Sequence, residues 1–155
     1  MKSWLLILLG IALFPAMLQA EDVDEKQHVR LWYEAFSEKN PALLERILDE
    51  RWVDIPAPAD QPAGPKGGKA LLAALTRTFP DLNLAIKDVL QDGDKIVVRA
   101  AMTGTQREAF MGLPPGNARL SIQVIDIHEF KDGKIVRTWH SEDWLSGLVQ
   151  LGFFK

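Results

Sequence analysis

At Pro80 the spacing of apolar residues changes, and that change limits the fold more than anything else in the chain. Before it they recur at helical intervals: Val29, Leu31, Trp32, Ala35 and Phe36, then Leu43, Leu44, Ile47 and Leu48, then Leu71, Leu72 and Leu75. Each set makes one buried helix face. After Pro80 they alternate, beginning with Leu82, Leu84 and Ile86, and the alternation runs on through successive turn signals. Alternation is the period of a strand with one face buried. Helices followed by hairpin-linked strands predict an α+β fold with an antiparallel sheet packed on the helices. Long twisted strands must curl, and a curled sheet closed by helices encloses a pocket.

The individual elements follow. A helix is expected over residues 23–38, capped by Asp22 or Asp24. Asn40-Pro41 supplies an N-cap and a first-turn proline for a second helix. Residues 51–55 read as a short strand carrying Trp52 and Val53. Residues 56–68, rich in Pro and Gly, read as a loop, either a functional rim or a stiff connector. A third helix is expected over 69–79. Asp92-Gly93-Asp94 signals a hairpin between a strand opening at Leu82 and one over 95–107. After a Gly/Pro-containing connection, strands are expected over 119–130 and 134–142. Asp143 then caps a helix from Trp144 to Leu151.

A chain of 155 residues, 47% hydrophobic and 25% charged, fits one folded domain. With no cysteine there is no disulfide, thiolate metal site or cysteine nucleophile. The net charge of -3 without a basic stripe argues against a nucleic-acid partner. Residues 1–20 are ordered as a secretory signal: Lys2, an apolar run from Trp4 to Phe14, then Pro15 and a small residue, Ala20, ahead of acidic residues. The domain is therefore assigned to 21–155. Export to the periplasm or medium is expected, with no stable membrane association after cleavage.

Titratable groups are densest between Ile125 and Leu151, where Asp126, His128, Glu129, His140 and Glu142 share two strands with Ile, Val, Phe and Trp and Asp143 follows at the cap. A polar group on a half-buried strand needs a partner or a purpose. A three-residue turn at Lys131-Asp132-Gly133 would put Asp126, His128, Thr138, His140 and Glu142 on one face. Ile125, Ile127, Ile135, Arg137 and Trp139 would lie on the other. Asp126 and His140 would then be diagonal neighbours. A two-residue Asp132-Gly133 turn would separate them by shifting the register. A carboxylate near an imidazole raises its pKa and orients the ring for proton transfer. The same pair can also be purely structural. The histidines and acids are possible metal ligands, but no metal-binding spacing is present. Trp52, Phe110, Met111 and Trp144 can line an apolar pocket or simply fill the core.

Several blocks taken in order carry a family resemblance. They are Phe79-Pro80-Asp81-Leu82, the run from Gly93 to Arg99, the run from Phe110 to Gly116, and Asp132-Gly133-Lys134-Ile135-Val136 onward to Gly152. From about Val29 to Gly152 the chain resembles the SnoaL-like polyketide cyclases, also called ester cyclases. The resemblance implies a curved sheet wrapped around N-terminal helices, a cone-shaped barrel with an internal apolar pocket, of the ketosteroid-isomerase and nuclear-transport-factor superfamily. It implies no cofactor. In that family an Asp on the last strand is the acid/base for intramolecular aldol closure, accompanied by a His on the preceding strand. Here the matching positions hold His140 and Asp126, so the pair is exchanged.

The expected function is acid/base chemistry on a small apolar carbonyl compound, giving aldol cyclisation, isomerisation or dehydration. His140 is the expected base, Asp126 its orienting carboxylate, and His128 and Glu142 further polar contacts. Trp52, Phe110, Met111 and Trp144 are the expected pocket walls. An exported, non-catalytic carrier of an apolar small molecule is the alternative. The apolar outer sheet face leads to the expectation of a homodimer.

Overall fold

Five strands lie side by side in the order β1-β5-β4-β3-β2, with the helices packed on the sheet's concave face. The structure, a computed structural model, describes residues 24–153. The expected signal over residues 1–20 lies outside these. The elements are α1 (Glu25–His28), α2 (Arg30–Glu38), α3 (Pro41–Ile47), β1 (Leu48–Ile55), α4 (Gly64–Thr78), β2 (Asn83–Asp92), β3 (Lys95–Thr105), β4 (Arg119–Lys131), β5 (Lys134–Glu142) and α5 (Trp144–Leu151). β2, β3, β4 and β5 form an antiparallel meander. The expected antiparallel sheet is correct for these four strands. β1 joins β5 in parallel, so the sheet is mixed, and it ends at two edges, β1 and β2.

The caps act as the sequence predicts. Asp24 accepts hydrogen bonds from the Lys26 and Gln27 amides, Asn40 from the Ala42 amide, and Asp143 from the Ser146 amide. Each satisfies an amide that helix geometry leaves without a partner. The helix expected over 23–38 is divided at Val29 into α1 and α2.

The largest departure is at α4. It starts at Gly64, five residues before the expected start, and shortens the 56–68 loop. Glycines read as breakers in sequence, but here they permit contact. A Cβ on Gly68 would sit 2.7 Å from Leu48 Cδ1, and one on Gly67 would collide with the Pro62 carbonyl. Pro65 stands in the first turn, where its missing N–H costs nothing. The helix thereby packs its first turns against β1 and α3.

The turn between β4 and β5 also differs in detail. It is the two-residue form: Lys131 pairs with Lys134, and Asp132 and Gly133 both have positive φ, at 51° and 73°. That is the backbone a tight Asp-Gly hairpin uses. The expected split of Asp126 from His140 does not follow, because a bulge intervenes. Phe130 pairs with Ile135 but Glu129 pairs with Arg137, leaving Val136 as the extra residue. The bulge restores the parity of the polar face and sets Asp126 directly opposite His140. It also turns Ile135 inward, fully buried, where the outer face was expected.

The core is one cluster beneath the sheet. Trp32, Phe36 and Trp52 meet at its centre, with ring centroids 5.1 Å apart for Trp32–Phe36 and 5.5 Å for Trp32–Trp52. No helix among the described residues is long and apolar enough to cross a membrane.

Candidate functional site

The concave face does not fill completely. A cavity of about 350 Å³ remains between the sheet, α2, α4 and α5. Its apolar wall includes Trp32 and Phe36 from α2, Leu71 and Leu75 from α4, and Met102 and Val124 from the sheet. Phe110, Met111 and Trp144 close one side, and Pro56 and Pro58 form part of the rim. The 56–68 segment therefore does line a cavity, through its prolines. Polar groups are confined to one patch: Asp126, Thr138, His140, Glu142 and Asp54. All five project from the inner face of β1, β4 and β5, where alternation puts every second residue.

Of the residues picked from sequence, His140, Asp126, Glu142, Phe110, Met111 and Trp144 line this cavity. His128 and Trp52 do not. Both are completely buried behind the wall, so they cannot be substrate contacts and that expectation is corrected. Both point to the inner face as expected, but α2 packs over them: Trp32 lies against both rings and Tyr33 against His128. His128 lies between Tyr33 Oη, 3.0 Å from its Nε2, and Thr138 Oγ1, 3.0 Å from its Nδ1. Trp52 Nε1 donates to Thr138 Oγ1 at 3.0 Å.

The expected contact of Asp126 with His140 is also corrected. They are cross-strand neighbours, but His140 uses its ring nitrogens elsewhere. Nδ1 is 2.8 Å from Glu142 Oε1; Nε2 is 2.8 Å from the Pro56 carbonyl and 3.4 Å from Asp54 Oδ1. Only acceptors face the ring, so both nitrogens must donate, which an imidazole does only as a cation. The hydrogen bond that its ring donates to Glu142, followed by the charges of Glu142 and Asp54, lifts its pKa to about 9 against the cost of burial.

Asp126 meets a different environment. It is 4% exposed, and Tyr33 Oη donates to its Oδ2 at 2.6 Å. Loss of water around the carboxylate dominates and raises its pKa to about 7; the Tyr33 bond and His140 pull the other way. Burial holds Asp54 above the ordinary carboxylate value and Tyr33 well above that of a phenol. His128, with no water around it and the His140 charge nearby, falls to about 3 and stays neutral. Its 4.0 Å approach to Asp126 is therefore no ion pair.

Tyr33, Thr138 and Asp54 complete the site but were not picked as site residues from sequence. One signal was available for Tyr33. It is the sole tyrosine in the chain, on the apolar face of a helix, and a buried phenol needs a partner.

The imidazolium carries a stability consequence. The folded protein holds the His140 proton more tightly than the unfolded chain, with a pKa of about 9 against 6.5. The stabilisation is complete below about pH 6.5 and lost as pH rises through about 9. The matching window for Asp126 lies lower, between 3.8 and about 7. Thermal unfolding from pH 7 to 9.5 will thus show stability falling by on the order of 2 kcal/mol. His140→Gln will flatten that fall; an equally steep fall in the variant would refute the charge state.

Comparison with known proteins places the fold in a family. The family model described as "SnoaL-like polyketide cyclase" matches residues 26–151. Among solved structures, TsrD from Streptomyces laurentii is similar at 31% identity, over 82% of this chain and 93% of that one, with a TM-score of 0.76. IdmH from Streptomyces antibioticus is similar at 26% identity, over 83% and 99%, with a TM-score of 0.72. A SnoaL-like polyketide cyclase from Agrobacterium tumefaciens, 20% identical over 83% and 98% with a TM-score of 0.71, speaks for the fold alone. No protein of curated function matches the sequence.

Proposed function

Since the chain belongs to the SnoaL-like polyketide cyclase family, we propose that it is a cyclase- or isomerase-type enzyme in which Asp126 moves the proton and His140 supplies fixed positive charge. This reverses the roles expected from sequence, where His140 was the base. One observation carries the reading: a buried carboxylate, which loss of water lifts to a pKa of about 7, stands in the single polar patch of a largely apolar cavity, directly across the strand pair from His140.

The chemistry follows from placement. A carbonyl compound seated against Trp32, Phe36 and Leu75 presents an α C–H to Asp126. The ionised carboxylate takes that proton, and the C–H electron pair moves into the carbonyl to give an enolate. Negative charge develops on oxygen, and the His140 cation across the strand pair favours it, more strongly in a dry cavity than in water. The enolate carbon then attacks a second carbonyl of the same molecule, and the new alkoxide recovers the proton from Asp126. Without a second carbonyl, return of the proton to another carbon gives isomerisation. A base with pKa near the working pH is suited to both directions of transfer.

The test needs no knowledge of the natural substrate. Small apolar ketones and β-dicarbonyls are incubated with the protein in D2O, and loss of α-proton signal is followed by NMR. Catalysed exchange is expected. Retention of such compounds without exchange would point instead to the exported carrier.

The homodimer is proposed on separate grounds. The outer face of β1, β5 and β4 carries Val53, Ile55, Ile125, Ile127 and Trp139, with Val53, Ile55 and Ile125 exposed by 41, 37 and 39%. Pairing with a second copy would cover them. Sedimentation equilibrium should return twice the chain mass; the chain mass alone would rule the dimer out.

A further inference from the structure

Behind the cavity wall runs an unbroken line of buried hydrogen bonds. It links Trp52 Nε1 to Thr138 Oγ1, Thr138 Oγ1 to His128 Nδ1, His128 Nε2 to Tyr33 Oη, and Tyr33 Oη to Asp126 Oδ2, at 3.0, 3.0, 3.0 and 2.6 Å. Trp52, Thr138 and His128 are all at 0% exposure, and Tyr33 is at 2%. Trp52, Thr138 and His128 are sealed from solvent and Tyr33 nearly so, so the polar atoms of these four must be satisfied by their neighbours.

We propose that Trp52, Thr138, His128 and Tyr33 form a one-way relay that positions Asp126, with the indole N–H of Trp52 setting its direction. Indole can only donate. Its N–H occupies the Thr138 oxygen, and the hydroxyl hydrogen turns to the other partner, His128 Nδ1. That nitrogen must then be bare, so the ring carries its hydrogen on Nε2 and donates to Tyr33. The phenol, having accepted, donates to Asp126. The opposite direction would set two N–H donors on the Thr138 oxygen and strand its hydroxyl hydrogen. It would also require the Asp126 proton on Oδ2, facing Tyr33 and away from substrate.

The relay thus does two things at its end. It occupies Oδ2 with a donor, and it leaves Oδ1 as the oxygen that exchanges protons with the cavity. Among the described residues Oδ1 takes no protein hydrogen bond, and Asp126 lines the cavity. The four residues are positioning residues: only Asp126 would meet substrate. The inference rests on Asp126 as the proton carrier, but it makes claims about the protein alone.

Histidine-selective 15N NMR on the full protein, without substrate, tests it. His128 should show the Nε2–H tautomer, neutral from pH 5 upward; an Nδ1–H tautomer would overturn the relay. Trp52→Phe keeps most of the ring volume and deletes the donor. The Nδ1–H form should then become populated, and the Asp126 carboxyl 13C titration should move upward. No change in either removes Trp52 from the relay. Tyr33→Phe cuts the last link and should raise the Asp126 midpoint by ~1 pH unit. It should also abolish the response of the Trp52 indole N–H signal to Asp126 titration. Survival of that response would show plain through-space electrostatics, since Asp54, Glu142 and His140 also face Asp126. A correct tautomer with no role for Asp126 in exchange would refute the proposed function and leave the relay standing.

Discussion

Asp126→Asn will lower the rate of α-proton exchange by about 10²–10⁴-fold, the usual contribution of a placed general base. The substitution is close to isosteric, and the asparagine carbonyl can still accept from Tyr33, so folding should survive. What disappears is the group that takes the proton. The pH profile of the native protein should have two limbs. Rate rises as Asp126 ionises, near pH 7, because only the carboxylate accepts a proton. It falls as His140 loses its proton, near pH 9, because the enolate then faces a neutral ring. His140→Gln should remove the upper limb and leave the lower one. Exchange rates for the three proteins from pH 5 to 10 decide the matter. Undiminished exchange in Asp126→Asn would end the assignment.

Trp52→Ala will destabilise the protein by about 3–5 kcal/mol, as truncating a buried aromatic does. Trp52 is wholly buried against Trp32. Its loss removes that packing and deprives the Thr138 oxygen of a donor. The void also opens behind an existing cavity, so the walls have little support from which to collapse. For a domain of this size the midpoint of thermal unfolding should drop by roughly 10–20 °C. Trp52→Phe fills most of the space and should lose much less. If circular dichroism gives the two variants equal midpoints, the hydrogen bond outweighs the packing, which would contradict this account.

Much of the site was legible before any coordinates. Alternation put His140 with Glu142 on β5 and Asp126 with His128 on β4, because successive side chains along an unbroken strand point to opposite faces; that the two sets share a face came from the bulge at Val136, not from the three-residue turn expected. The apolar positions of α2 and α3 were equally clear from their spacing. Asn40-Pro41 and Asp143 marked helix starts through local chemistry that needs no tertiary partner. The resemblance to the SnoaL-like cyclases rested on blocks of ordinary residues in a fixed order, and the family match bears it out.

Depth and partners were not legible. His128 and His140 share a strand face, yet one is sealed in the core and the other lines the cavity. That difference depends on where α2 and the rim approach the curled sheet. Which acceptors reach His140 depends on β1 lying parallel beside β5, a long-range pairing that brings Asp54 and the Pro56 carbonyl against it. Sequence determines which residues can ionise and which residues along one unbroken strand share a face, since both are properties of the chain over a few residues. The charge each carries at neutral pH was decided by the tertiary structure, because a pKa is set by lost water and nearby dipoles, and these come from segments distant in sequence.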